Sequence, residues 1–256
     1  MVEEDVVPRE YRTHSVTVGN VYRGAPPEDV PFLIDSLCQW LNGPDFQSPE
    51  KDFELPFAVI RSVLAHLYLA WIHAFGDGNG RTARLVEFHI LFSSGVPLPA
   101  AHLLSDHYNR TRTVYYRELD KAIKSGGNIM PFLSYALQGL LDGLRGQITE
   151  VRSHQMEVAW ENYVHQQFKD KNTKTQKRRR DLVLELTGKG WINVSEIVEL
   201  TPKTAMFYAN VGNKMLQRDL NALKDLDLIE REFGRVRSRR RKIASFLPAK
   251  VEDNEE

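Results

Sequence analysis

Between residues 73 and 84 the chain reads His-Ala-Phe-Gly-Asp-Gly-Asn-Gly-Arg-Thr-Ala-Arg. A base, an acid, three glycines and two arginines fall within that one stretch. Each type has a chemical use. His73 can take a proton as neutral imidazole near physiological pH. Asp77 offers the oxygen that magnesium requires beside a polyphosphate. Gly78 and Gly80 let backbone approach an anion with no Cβ in the way. Arg81 and Arg84, three residues apart on a helix, share a face and reach the same set of oxygens.

Three familiar sites fail against this spacing. A calcium loop starting at Asp77 needs an acid or amide, glycine and glutamate where the chain has Arg81, Thr82 and Phe88. A dinucleotide fingerprint needs G-x-G-x-x-G after a strand, whereas Gly76, Gly78 and Gly80 alternate after a helical pattern. A P-loop needs Gly-Lys-Ser/Thr, which is absent here. What survives is a helix–loop–helix. Phe57, Ile60, Leu64, Leu67 and Trp71 recur at helical steps and predict one buried face. Leu85, Phe88, Leu91 and Phe92 predict a second helix ending near Gly95-Val-Pro. The loop between them feeds a helix N-terminus, whose free N–H groups and dipole seat a phosphate.

The stretch resembles the signature of the Fic family, H-P-F-x-D/E-G-N-G-R-x-x-R, with Ala74 in place of proline. That position shapes the turn and does not touch ligand. The resemblance implies a mainly helical Fic core with a β-hairpin flap. It also implies transfer of AMP from ATP, with Mg2+, to a Ser, Thr or Tyr hydroxyl of a target protein. On that resemblance His73 is the general base and Asp77 holds the metal. Gly78, Asn79 and Gly80 form the anion nest, Arg81 and Arg84 grip the distal phosphates, and Phe75 is a packing anchor. "VYYRELDKAIKSG" resembles the segment whose paired tyrosines, here Tyr115 and Tyr116, lie against the nucleotide. "THSVTVGNVYRG" alternates around Gly19-Asn20 and sits where the family has a flap that holds its target by strand addition.

The family's inhibitory helix, Ser/Thr-x-x-x-Glu-Gly/Asn, has no match here, because Val158 follows Ser153…Glu157 and Leu200 follows Ser195…Glu199. Arg84 is therefore expected to be free, with that helix either lacking or truncated upstream. Phosphate transfer from an inverted nucleotide, or a UTP donor, stays open at the level of the motif. His66, one heptad before His73, lacks a third ligand at metal spacing and reads as a core or supporting group.

The whole chain frames this site. A single cysteine, Cys38, excludes a disulfide framework and fits a reducing compartment. No uninterrupted apolar run approaches the ~20 residues of a membrane helix, and no secretory leader is seen, so a cytoplasmic location without membrane partners is expected. Lys and Arg total 34 against 34 Asp and Glu, but 19 basic and only 9 acidic residues lie between 171 and 250. Such asymmetry predicts two domains with different partners.

The predicted layout is a Fic domain with its flap at 1–145, a connecting helix at 146–173, a winged helix-turn-helix domain at 174–248 and a disordered acidic tail at 249–256. Within it, helices are expected over about 31–41, 113–124, 130–144 and 144–169, and two short ones between 182 and 200. "MLQRDLNALKDLDLIERE" reads as a further helix and "FGRVRSRRRKIASF" as a wing, although "TPKTAMFYANVGN" is long for that fold. Expected partners are a target protein along the flap, DNA through the basic domain and a second copy of the chain. The alternative to an adenylyltransferase is a nucleotide-sensing transcriptional regulator or toxin–antitoxin component.

Overall fold

The computed structural model describes residues 10–19, 21–209 and 213–246. The chain divides into two compact units, Met1–Gln147 and Ile148–Glu256. The first opens with a hairpin of β1 (Thr17–Val18) and β2 (Tyr22–Arg23). Its register pairs Val18 with Tyr22, a wider turn than the two-residue hairpin that a Gly19-Asn20 pair suits, and Asn20 lies outside the described residues. Helices follow as α1 (Val30–Leu41), α2 (Glu54–Ile72), α3 (Asn79–Ser93), α4 (Leu98–Ala101), α5 (Leu103–Arg110), α6 (Arg112–Lys124) and α7 (Met130–Gln167). The helices expected over 130–144 and 144–169 are one helix, α7.

The sequence assigns α2 one buried face, and the structure gives it nearly all of them. Ala58, Val63, Leu64, Ala65, Leu67 and Ala70 are buried on every side of the helix. Over Lys51–Ile72 the mean hydropathy reaches 1.6, enough in length and composition for a membrane span, contrary to the expectation above. Half of that window is buried in this fold, so its apolar content serves the core. The face of α3 is also corrected. Leu85 and Phe92 are 65% and 52% exposed. The inward row is Ala83, Glu87, Ile90 and Leu91, at the same helical steps but in another phase.

A glutamate can occupy that row because it is partnered. Glu87 accepts a hydrogen bond from the Tyr108 hydroxyl at 2.9 Å and faces His66 Nδ1 at 3.3 Å. His66 Nε2 meets the Tyr115 hydroxyl at 3.0 Å. Four buried polar side chains thus tie α2, α3, α5 and α6 together, as burial of such groups requires.

Close approach of α5 and α7 rests on Gly139. A Cβ there would lie 2.2 Å from His107 Cδ2 and 2.3 Å from its Cγ. The ring cannot clear it by moving its tip alone. Gly139→Ala is expected to destabilise the first unit by about 1–3 kcal/mol despite the better helix propensity of alanine. A fall in Tm by circular dichroism checks this.

The second unit contains the C-terminal part of α7, then α8 (Lys174–Glu185), β3 (Ile192–Asn193), α9 (Pro202–Tyr208), α10 (Asn213–Asp225), β4 (Ile229–Glu232) and β5 (Arg235–Ser238). The sheet order is β3-β5-β4, all antiparallel. Trp160, Val164 and Phe168 of the 146–173 segment are buried in this core with Leu182, Leu220 and Val236. Of the two short helices expected between 182 and 200, that stretch holds the end of α8, β3 and a 3-10 turn at Val194–Glu199. The expected helix over "MLQRDLNALKDLDLIERE" stops at Asp225, and its last four residues are β4. Asp227 at φ 59° breaks the helix, and alternation in Ile229–Glu232 suits a strand. The hairpin of this region is therefore residues 229–238, turned at Phe233-Gly234, and Arg240–Phe246 is 3-10. The acidic tail and residues 210–212 of the "TPKTAMFYANVGN" stretch lie outside the described residues.

Much of the basic surplus is spent inside this unit. Arg178 and Arg179 each reach Asp219 at 2.7 Å, and Arg180 reaches Asp181 at 2.9 Å. Arg237 pairs with Glu230 at 2.6 Å, and Arg239 and Lys242 pair with Asp227.

Candidate functional site

α2 ends because His73 turns left-handed, at φ 52° and ψ 57°. Its N–H still donates to the Leu69 carbonyl at 3.1 Å, which closes the helix. A non-glycine residue in this conformation costs about 1–2 kcal/mol, so the surroundings must hold it. Two contacts do so from the N-terminal segment. The Arg12 N–H donates to the Ala74 carbonyl at 3.0 Å, and Arg12 Nε donates to the His73 carbonyl at 2.6 Å. Ala74, where the family signature has proline, is 2% exposed and tightly held.

The loop is closed from within. Asn79 Nδ2 donates to the Phe75 carbonyl at 2.7 Å, and Asn79 Oδ1 accepts from the Phe75 N–H at 2.8 Å. The Asn79 side chain is thus consumed as a staple, and only its backbone can belong to an anion nest. Phe75 packs against Tyr11 with ring centroids 5.8 Å apart. Gly78, at φ 84°, leads into α3, whose N-terminus has no side-chain cap. First-turn N–H groups left uncapped can bind an anion.

Both arginines lie over the glycines. A Cβ at Gly80 would stand 3.5 Å from Arg84 Nη1, and one at Gly78 would stand 3.6 Å from Arg81 Nη2. Arg81 Nη2 also donates to Asp77 Oδ2 at 2.7 Å, while Asp77 Oδ1 accepts from the Gly78 N–H at 2.6 Å. Asp77 and Arg81 are each 74% exposed at the side chain. Among the described residues no group of three or more His, Cys, Asp or Glu could hold a metal. Magnesium, however, typically binds through one or two carboxylates together with substrate phosphates. A single exposed carboxylate beside an anion seat fits that mode.

His73 is half-buried. Burial lowers its pKa below the ordinary histidine range; the nearby Arg12 charge lowers it further, and a hydrogen bond to Ala70 opposes both. Its Nδ1 lies 3.3 Å from the Ala70 carbonyl, which can only accept. The proton therefore sits on Nδ1 and leaves Nε2 as the lone-pair nitrogen.

The two tyrosines part company. Tyr115 is 6% exposed, with its hydroxyl on His66 and its ring against Tyr108 and Tyr116. Burial raises its pKa well above the usual value, and the Arg84 charge opposes this. Tyr116 is half-buried and packs on the flap turn, 3.5 Å from where a Gly19 Cβ would be. Sequence reading missed Arg12 and Gly24. A Cβ at Gly24 would lie 3.2 Å from both Arg12 Nη2 and His73 Cβ. Nothing in periodicity or spacing marks either residue.

Part of the chain is similar in sequence to known proteins. Residues 2–91 match the model of the Fic/DOC family. A "Protein adenylyltransferase Fic" of Nematostella vectensis is 35% identical over 125 residues, covering 49% of this chain and 26% of that protein. "Protein adenylyltransferase fic-1" of Caenorhabditis elegans is 33% identical over 127 residues, covering 48% and 21%. The chain thus spans about a quarter of the length of these curated relatives. A crystal structure of a Fic family protein from Desulfovibrio desulfuricans G20 is similar at a TM-score of 0.46 and 21% identity, over 90% of this chain and 62% of that one.

Proposed function

We propose that the first unit is a protein adenylyltransferase that moves AMP from ATP to a Ser, Thr or Tyr hydroxyl of a target protein. The observation that carries this reading is a left-handed His73 ending α2 five residues before the Gly78 cap of an α3 that lacks a side-chain cap, with two guanidinium groups folded over its glycines. His73 Nε2 accepts the hydroxyl proton as that oxygen bonds to the α-phosphorus. The bond from the α-phosphorus to the bridging oxygen breaks, and pyrophosphate leaves with its charge toward Arg81 and Arg84. Asp77 would hold Mg2+, which when bound supplies charge neutralisation on the phosphates. This is positioning and electrostatics, the bulk of what phosphoryl-type transfer requires.

The flap of β1 and β2 is the candidate seat of the target segment, by strand addition. The helix–strand–helix–helix–hairpin order of the second unit, with β3 beside β5, supports a winged-helix reading of that unit.

The experiment is transfer to protein from ATP labelled at the α- or at the γ-phosphate, with Mg2+ and the purified chain. Label retained from the α position alone supports AMP transfer. Label from γ alone means the nucleotide sits inverted, and none from either removes the reading. Because the His73 pKa is depressed, the base stays neutral below the ordinary histidine range. The acid limb of kcat/KM against pH is accordingly expected below about pH 6.5.

A further inference from the structure

Arg12 is 4% exposed, yet among the described residues none of its hydrogen bonds goes to a carboxylate. Its guanidinium donates instead to four backbone carbonyls. Nε reaches His73 at 2.6 Å, Nη1 reaches His14 at 2.6 Å, and Nη2 reaches Ile72 at 3.1 Å and also Ala25. These carbonyls come from three places. Ile72 and His73 are at the C-terminal end of α2, where carbonyls lack helical partners and the dipole is negative. His14 lies three residues before β1, and Ala25 lies just after β2. The flap is tied to the same helix end by the Tyr22 hydroxyl, which donates to the Ala70 carbonyl at 2.9 Å. Gly24 completes the arrangement, because any Cβ there would press on both Arg12 and His73.

We infer that Arg12 is a positioning residue for His73: its planar fork fixes the left-handed turn that carries the imidazole and locks both feet of the flap to that turn. A bound target segment and the base are thereby held in one frame. The inference rests on the adenylyltransferase reading for its effect on rate, and on geometry alone for its effect on the imidazole. Lysine cannot replace the fork, since an ammonium is a point charge with three donors.

Charge and geometry can be separated. Around His73 the charge that acts on it is Arg12, itself opposed at longer range by Glu28; Asp77 and Arg81 face each other, and Arg84 lies over Gly80. Arg12→Gln removes the charge and most donors, whereas Arg12→Lys keeps the charge and loses the fork. Two readouts are needed on the full chain: kcat and KM for ATP per folded molecule, and the titration of the His73 ring by NMR. The ring resonance is assigned by its absence in His73→Ala.

Arg12→Gln is expected to lower kcat by about 10–100-fold with KM for ATP changed less than about threefold, and to move the His73 titration to higher pH. Arg12→Lys is expected to lower kcat while the titration stays near that of the wild type. Folded variants with unchanged kcat and unchanged titration would overturn the inference, as would a kcat loss matched by the unfolded fraction. Should Arg12→Gln not fold, Arg12→Lys decides on kcat. If the wild type transfers no AMP, the titration still tests Arg12, so the two failures are told apart.

Discussion

His73→Ala is expected to lower kcat for AMP transfer by about 10²–10⁴-fold, the range that a positioned general base supplies, while ATP still binds. The groups assigned to the phosphates are elsewhere: uncapped N–H groups of α3, Arg81 over Gly78 and Arg84 over Gly80. His73 reaches that region only through its ring, because its N–H and carbonyl are spent on Leu69 and Arg12. Truncation at Cβ therefore removes the proton acceptor and leaves the turn. Calorimetric titration with ATP and Mg2+, beside a transfer assay, checks both halves. The same variant separates the two function classes, since a nucleotide-sensing regulator would keep its response without the imidazole.

Asp219→Ala is expected to destabilise the second unit by about 3–5 kcal/mol, the cost of breaking a buried ion pair from one side. Asp219 is 1% exposed and accepts from Arg178, Arg179 and the Tyr208 hydroxyl, at 2.7, 2.7 and 3.0 Å. Without it, two guanidinium groups and a buried phenol lose their acceptor together. The lower end of the range applies, because the arginine side chains stay 17% and 21% exposed. Hydrogen exchange in α8 and α10 reads the loss locally.

pH gives an independent handle on the same group. Burial raises the Asp219 pKa, but the hydrogen bonds from Arg178, Arg179 and Tyr208 outweigh it and leave the folded-state value below that of an ordinary aspartate. Its stabilisation is thus present above the unfolded pKa and is lost as pH falls through the folded one. The gap between wild type and variant should close on acidification below about pH 4.

The candidate site was largely legible because its chemistry is local. An anion nest needs glycines at adjacent turns, and arginines at i and i+3 share a face whatever the rest of the fold does. α1 and α6 were legible for a similar reason, each carrying an apolar stripe between clear breakers. α5 was not, since Leu-Leu-Ser-Asp-His-Tyr-Asn-Arg is mostly polar and its buried Tyr108 depends on Glu87 for a partner. The phase of α3 was misread because Leu85 and Phe92 are exposed while a glutamate is buried, an inversion that only the His66 and Tyr108 contacts explain. Arg12 left no trace at all. Its partners are main-chain carbonyls, which every residue supplies, so no pattern of side chains can announce them.

The contact between Asp77 and Arg81 acts as a placeholder. An exposed pair of this kind is worth roughly 0–1 kcal/mol in water, enough to keep two opposite charges poised at the mouth of the loop and too little to resist exchange. A visitor bearing only one sign would strand the other partner; one that brings a cation and an anion together exchanges with both at once. On the proposed adenylyltransferase reading, the loop therefore favours a cation-loaded polyphosphate over either component arriving by itself.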